Sequence, residues 1–300
     1  MAMCATPGFA ALIEAQTLMQ GFTNIVLGDL TAQAETEGTV FVGGNFTSST
    51  NVNPDLLPDV SISPTVSGTL IVGGSVYNSP KLQSGNAVIG GTSTVINNGS
   101  GAVTSGVSGI PVDEVRQILK DASLELSTWA DTPGSFAQTA DQNSLEFHGE
   151  GDANNIAVLN ISASALASGT FNPGVTVDPD VTLIVNVSGT FVTIGANGNQ
   201  TLTNVLFNFY EAATLNINTA FNFSMLAPLA TVQMQGGGTN GSVVSGSLNQ
   251  MAEIRPTNFT GTFAFAEEPP VSGVPLPGAG LLLAGGLGGL GLLRARRRAR

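Results

Sequence analysis

Three segments of the chain end a short alternating run on the same glycine pair: TVFVGGNF at 39–46, TLIVGGSV at 69–76 and NAVIGGTS at 86–93. Apolar residues alternate there with polar or small ones, as a half-buried strand requires. The Gly pair supplies a tight corner that β-branched residues cannot make. The second segment follows the first at a much longer interval than the third follows the second, so they do not form a strict repeat array. Later runs lack the pair: VTLIVNVSG (181–189), LTNVLFNF (202–209), ATLNINTAF (213–221), MLAPLATVQM (225–234) and GSVVSGSL (241–248). Short strands at close intervals, separated by Asn, Gly and Ser, point to a sandwich, a barrel or an irregular β-solenoid.

One stretch has a different period. PVDEVRQILKDASLELSTWADTPG, 111–134, places Val112, Val115, Ile118, Ala122, Leu126 and Trp129 at helical spacing. Pro111, Asp113 and Glu114 suit a helix start and Pro133-Gly134 an end, which predicts a helix over 111–131. About 18 residues rising ~1.5 Å each make a rod of ~27 Å. At ~4.8 Å between strands, that rod covers about five or six rungs of a solenoid.

Charge is sparse and uneven. Of nine bases, five (Arg294, Arg296, Arg297, Arg298 and Arg300) fall in the last seven positions, which leaves 21 acids against Lys81, Arg116, Lys120 and Arg255 in the rest of the chain. So acidic a body disfavours nucleic acid, because phosphate binding needs clustered Lys and Arg. The single cysteine, Cys4, excludes an intrachain disulfide and is silent on compartment. No apolar run precedes it, which argues against a lipoprotein cysteine. The N-terminal segment 1–20 has no Lys or Arg, and Glu14 interrupts its apolar stretch, so it reads as a signal remnant or a helix rather than an export signal.

The arginines follow GAGLLLAGGLGGLGLL, 278–293, a run without a charge. With Val274, Pro275, Leu276 and Pro277 the run reaches the ~20 residues that span a hydrocarbon core. In lipid it would be helical despite its glycines, because unpaired backbone groups are costly there. Gly285, Gly288 and Gly289 would admit close helix packing, and the arginines would stay with the cytoplasmic headgroups as a stop-transfer anchor. The alternative is a buried helix with a solvated basic end. The Pro-rich stretch EEPPVSGVPLP, 267–277, reads as a linker between this tail and a β-rich domain at 21–266.

The motif Val274-Pro275-Leu276-Pro277, the apolar helix and the arginine cluster together resemble the VPLPA variety of PEP-CTERM sorting domain, with Gly278 where alanine is usual. The resemblance implies an exosortase-type processing protease as partner, transient anchoring in the inner membrane, then transfer to the cell surface or release. FTNIVLGDLTAQAETEGTVFVGGNF (22–46), NVLFNFYEAATLNI (204–217), SMLAPLATVQM (224–234), NGSVVSGSL (240–248) and NFTGTF (258–263) resemble, in order, the choice-of-anchor A domain, a bacterial surface-adhesion module. Phe223 departs from a usual glycine, Leu229 from a usual asparagine, and Arg255 stands near a frequent histidine. The Gly-Gly and LAP patterns are also similar to those of ice-binding adhesins, whose fold implies a right-handed β-solenoid with one long helix packed alongside.

Chemistry is thin. His148 is the only histidine, with no Ser–His–Asp or Cys–His constellation around it. A polysaccharide lyase would need a base and calcium, and Lys81 and Arg255 stand alone. DPD (178–180), PDLLPD (54–59) and EGDANN (150–155) offer oxygen ligands of the type calcium takes, but none matches a known loop spacing, and Asp is favoured in turns anyway. Asp29, in LGDL, reads as a turn or cap residue. No GxxxxGK[ST] follows the glycine pairs, which excludes a phosphate cradle. Threonines in GTLIV, GTSTV and GTFVTI are either ordinary strand formers or the outward array of an ice-binding surface. The sequence therefore predicts a non-enzymatic, exported surface or extracellular-matrix protein without cofactors, adhesive towards polysaccharide or neighbouring cells. An ice-binding solenoid and a carbohydrate-active β-helix enzyme are the alternatives.

Overall fold

The glycine-terminated runs form very short strands stacked in parallel. We describe them in a computed structural model that covers residues 14–53, 57–138, 144–263 and 265, and every element below belongs to the unit Met1–Phe263. Ten strands make the first face of a triangular solenoid: β1 (Asn24–Val26), β2 (Val40–Val42), β3 (Leu70–Val72), β4 (Ala87–Ile89), β5 (Val103–Ser105), β6 (Ile156–Ser162), β7 (Thr182–Ser188), β8 (Gly198–Asn208), β9 (Phe221–Met234) and β10 (Val243–Gln250). Their order in space is β5-β4-β3-β2-β1-β10-β9-β8-β7-β6. From β1, in the middle of the stack, the chain thus winds outward to β5. It crosses back on a helix, restarts at β6 and winds inward until β10 pairs in parallel with β1.

Register sets the coil length. Asn24 pairs with Val40, Val40 with Leu70, Leu70 with Ala87 and Ala87 with Val103, and the step from Val40 to Leu70 is nearly twice the others. That long coil carries an antiparallel hairpin, Val60–Ser63 with Val66–Gly68, which accounts for the uneven spacing of the Gly-Gly segments. Coils on the other side are larger and shrink towards β1: Val158 pairs with Ile184, Ile184 with Leu206, Phe207 with Met225 and Met225 with Val243. β9 and β10 are long because each turns the corner and continues on the second face. The alternatives of sandwich and barrel fall away, since among the described pairings only that hairpin and Gly134–Gln138 with Ser144–Gly149 are antiparallel.

The glycine pairs do make the corners, but by close approach. A Cβ at Gly43 would lie 2.3 Å from the Leu27 carbonyl oxygen, at Gly73 2.5 Å from that of Gly43, and at Gly90 2.2 Å from that of Gly73. Each coil rests its corner backbone on the last, and any side chain would hold the coils apart.

Two apolar layers hold the stack. Inside the coils lie alternate residues such as Val26, Val42, Val72, Leu183 and Met225. The opposite side of the first face presents Ile25, Phe41, Ile71, Ile184, Leu206, Leu226 and Val244, all fully buried. Covering elements are α1 (Ala15–Gly21), through Leu18 and Met19, and α2 (Val112–Ser127), through Val115, Leu119, Ala122 and Leu126. The sequence predicted α2 to run on to residue 131 and to bury Ile118. It ends at Ser127, and Leu119 takes the core position while Ile118 is half-buried.

Under the C-terminal part of α2 runs a ladder of asparagines in register on three strands: Asn160, Asn186 and Asn208. Asn208 Nδ2 donates to the Ser123 carbonyl at 2.8 Å, Asn186 Nδ2 to that of Leu126 at 2.8 Å and Asn160 Nδ2 to that of Trp129 at 3.1 Å. The last turns of α2 and the residues just after it are thereby tied to the sheet one rung at a time, the Leu126 carbonyl accepting from the Trp129 N–H as well. At its start α2 lies over the glycine corners, where Val112 fills the space a Cβ on Gly43 or Gly73 would need. The helix therefore lies along the stack, as its length predicted, and reaches from β3 to β7.

Candidate functional site

The first face is covered by helices; among the described residues, no helix covers the second. After each corner the chain forms a short outer strand. Alternation sends one set of side chains into the core and the other to solvent, as in Leu30–Ala32 with its buried–exposed–buried pattern. Parallel register then aligns the outward side chains into columns. One column runs Thr193, Asn216, Gln233, Asn249, Thr31, Thr47, Tyr77 across seven coils. A second begins Phe191, Thr214, Thr231, Ser247. Beyond Ser247, a run of side-chain acceptors follows the corners: Asp29 Oδ1 takes the Asn45 N–H at 2.7 Å, Asn45 Oδ1 that of Ser75 at 3.0 Å, and Ser75 Oγ that of Thr92 at 3.1 Å. Seven rungs at ~4.8 Å make a strip of ~29 Å.

This strip is polar and almost uncharged. Its amides and hydroxyls both donate and accept, and neighbours order one another, as where Asn249 Nδ2 donates to Gln233 Oε1 at 2.9 Å. An aromatic stands at each end of the strip, Tyr77 at 46% exposure and Phe191 at 68%. The third face differs. It carries Asn51–Val52, Lys81–Leu82 and Ile96–Asn97, and then a group of charges, Glu35, Glu37, Glu253 and Arg255. Arg255 pairs with Glu253 at 3.0 Å. Partial burial raises the Glu37 pKa above the ordinary carboxylate value, and the nearby Glu253 and Glu35 raise it further.

The residues singled out from the sequence scatter. Asp29, read from the sequence as a turn or cap residue, accepts from the Asn45 N–H and ties two neighbouring coils together. His148 lies on Ser144–Gly149, partly exposed, with Nε2 3.5 Å from Glu150 Oε1. Lys81 and Arg255 both lie on the third face, with the coils of Asn51 and Thr36 between them. Asp152 closes a turn: backbone N–H groups of Ile156 and Asn154 donate to its carboxylate and lower its pKa. Asp59 accepts from Asn86, and the Asp178 carbonyl accepts from Val181 and Asn204. Among the described residues, no three His, Cys, Asp or Glu are grouped to hold a metal, and no helix is long and apolar enough to cross a membrane. Cys4, part of PDLLPD, the motif Val274–Pro277, the apolar run and the terminal arginines lie outside the described residues.

The threonines noted in the sequence divide between the two readings. Thr69 of GTLIV is buried and donates to the Ser84 and Asn86 carbonyls, whereas Thr193 of GTFVTI does face outward. Sequence reasoning missed Thr31, Thr47, Thr214, Thr231, Asn216, Gln233 and Asn249 as one surface. Each sits at an alternating position in its own strand, but nothing local says which coils are neighbours. Of the departures from the anchor-domain pattern, Phe223 is fully buried, with its ring 5.1 Å from Phe171 and 5.3 Å from Phe207. Leu229 is 51% exposed at the corner of β9.

No curated protein matches the chain. Among solved structures it is similar to an ice-binding protein from the Antarctic ascomycete Antarctomyces psychrotrophicus, with 12% identity, 82% of this chain and 98% of that chain covered, and a TM-score of 0.33. That is too loose a likeness to carry an argument. The model of the family described as "Putative Ice-binding-like adhesive domain" matches residues 15–256. The match runs from α1 to the residue after the last described strand, Ile254–Arg255. By that match, which takes in both described α-helices and the described solenoid, the chain belongs to the ice-binding-like adhesive domain family.

Proposed function

We propose that this chain is a non-enzymatic bacterial surface adhesin of the choice-of-anchor A type, and that its second face is the surface that adheres. The observation that carries the reading is the strip itself: seven coils in register with Thr, Asn, Gln and Ser outward and, among the described residues, no helix over them. Such groups match the hydroxyls of a neutral polysaccharide, each able to donate and accept. Tyr77 and Phe191 add apolar ring faces with which a sugar can stack. The scatter of His148, Arg255 and Lys81 supports binding over turnover, because general acid–base work needs groups within reach of one substrate atom. No cofactor is required. The resemblance of the tail supports export, and a right-handed winding follows the general preference of parallel crossovers. An exosortase-type protease would then release the domain at Val274–Pro277 or transfer it to the surface, with the arginines as temporary stop.

Retention of the full chain on neutral glucans (dextran, cellulose) and on cells tests this. The double variant Thr31→Lys/Thr231→Lys is expected to bind about tenfold more weakly at an unchanged unfolding midpoint, since both side chains are exposed. Undiminished retention would remove the second face from the account. Ice binding is a second reading, favoured by the five threonines among the outward positions and opposed by the Asn216–Gln233–Asn249 run that interrupts them. Thermal hysteresis in the purified chain would favour it over the polysaccharide reading.

A further inference from the structure

The body holds four cations against 21 acids, and two of the four, Arg116 and Lys120, line one concavity. It lies where α2 meets the corner between first and second faces, has a volume of about 260 Å³, and is walled by Leu27, Leu229 and Ser247. We propose that it is a subsite for a monoanionic sugar substituent, a carboxylate or a sulfate ester, on the polymer that the second face holds; the proposal rests on the adhesive reading above.

Arg116 and Lys120 are one helical turn apart, where like charges repel. Arg116 is engaged: Nη1 bonds Asp113, and Nη2 donates to the Leu27 carbonyl at 3.0 Å. Asp113 therefore balances the guanidinium. Lys120 is half-buried and has no ion pair among the described residues. One uncompensated positive charge remains in a strongly acidic body, which fits one negative charge on the ligand. Gly28 and Gly246 line it where neighbouring coils touch; a Cβ at Gly28 would lie 2.7 Å from the Gly246 carbonyl oxygen. The exposed Leu229 offers an apolar wall for a ring, and Ser247 belongs also to the second column of the strip. A volume just under the ~300 Å³ where ligand pockets begin suits one sugar rather than a chain segment.

The test uses the full chain, so that the terminal arginines contribute equally to every sample, with dextran, polygalacturonate and dextran sulfate as probes. Lys120→Glu is expected to weaken binding of polygalacturonate, dextran sulfate or both at least fivefold, to leave dextran unchanged, and to be rescued by Lys120→Arg; the polymer affected identifies the substituent. If both polyanions bind Lys120→Glu as tightly as wild type while dextran is still retained, the subsite is overturned and the adhesive face stands. An equal loss on dextran also overturns it. If wild type ignores dextran yet loses a polyanion on Lys120→Glu, the subsite stands and the neutral-polymer reading falls.

Discussion

The two halves of the solenoid solve one packing problem with different residues. Coils of β1–β5 are short once the hairpin is set aside, as the pairings of Asn24 with Val40, Leu70 with Ala87 and Ala87 with Val103 show. Their interior is Val, Leu, Ile and Ala with Phe46. Coils of β6–β9 are wider, and widest between β6 and β7, where Val158 pairs with Ile184. Their larger section is filled by Phe147, Phe171, Phe207, Phe209, Phe221 and Phe223, with Phe207 4.9 Å from Phe221 and Phe147 5.5 Å from Phe171. A coil's circumference fixes the room inside it, and core residues are sized to that room. The narrow half closes instead on its corners, where glycine backbones touch.

That contrast predicts where each half fails. Phe207→Ala in the wide half leaves a cavity bordered by five other rings and is expected to cost about 3–5 kcal/mol in denaturant unfolding; a loss under ~1 kcal/mol would mean that the rings are loosely packed. In the narrow half the sensitive change is addition. Gly90→Ala puts a methyl 2.2 Å from the Gly73 carbonyl oxygen and is expected to cost about 1–3 kcal/mol. If Gly90→Ala were neutral, the corners would not be in contact.

The seam between the halves carries the smallest and oppositely signed effect. Where β1 meets β10, both polar side-chain atoms of Asn24 and the Ser245 hydroxyl are buried without partners. Asn24 is flanked in register by Val40 and Val243. Replacing it by valine removes unsatisfied donors and acceptors from an apolar interior, so Asn24→Val is expected to stabilise by about 1–2 kcal/mol, read as a raised unfolding midpoint. A lowered midpoint would show that the Asn24 amide is satisfied at the seam after all.

Elements with a local signal were legible in the sequence. Helix α2 announced itself by period, and its length correctly placed it along the stack. The glycine pairs marked real corners, although their physical reason, carbonyls of the preceding coil within 2.5 Å of any Cβ at Gly43, Gly73 or Gly90, exists only once coils are stacked. The pairing of 24–26 with 243–245 was not legible, because nothing in either segment refers to the other. The strip on the second face was hidden for the same reason. Its strands, TLNI, TVQM and SLNQ among them, each alternate plainly, but the columns come from register between coils, which no single strand records. The uneven spacing of the glycine pairs was legible, but its cause, the hairpin at 60–68 inserted into one coil, was not.

The central claim is that the open second face, rather than the helix-covered first or the charged third, is where the molecule adheres. Hydroxyl-radical footprinting of the full chain, free and bound to a neutral glucan, tests it directly. The account predicts protection along 30–32, 46–48, 214–217 and 231–234 and at the exposed rings of Tyr77 and Phe191, with Lys81 and Arg255 on the third face unchanged. Protection centred on the third face, or on the outer surface of α2 around Leu124, would contradict it.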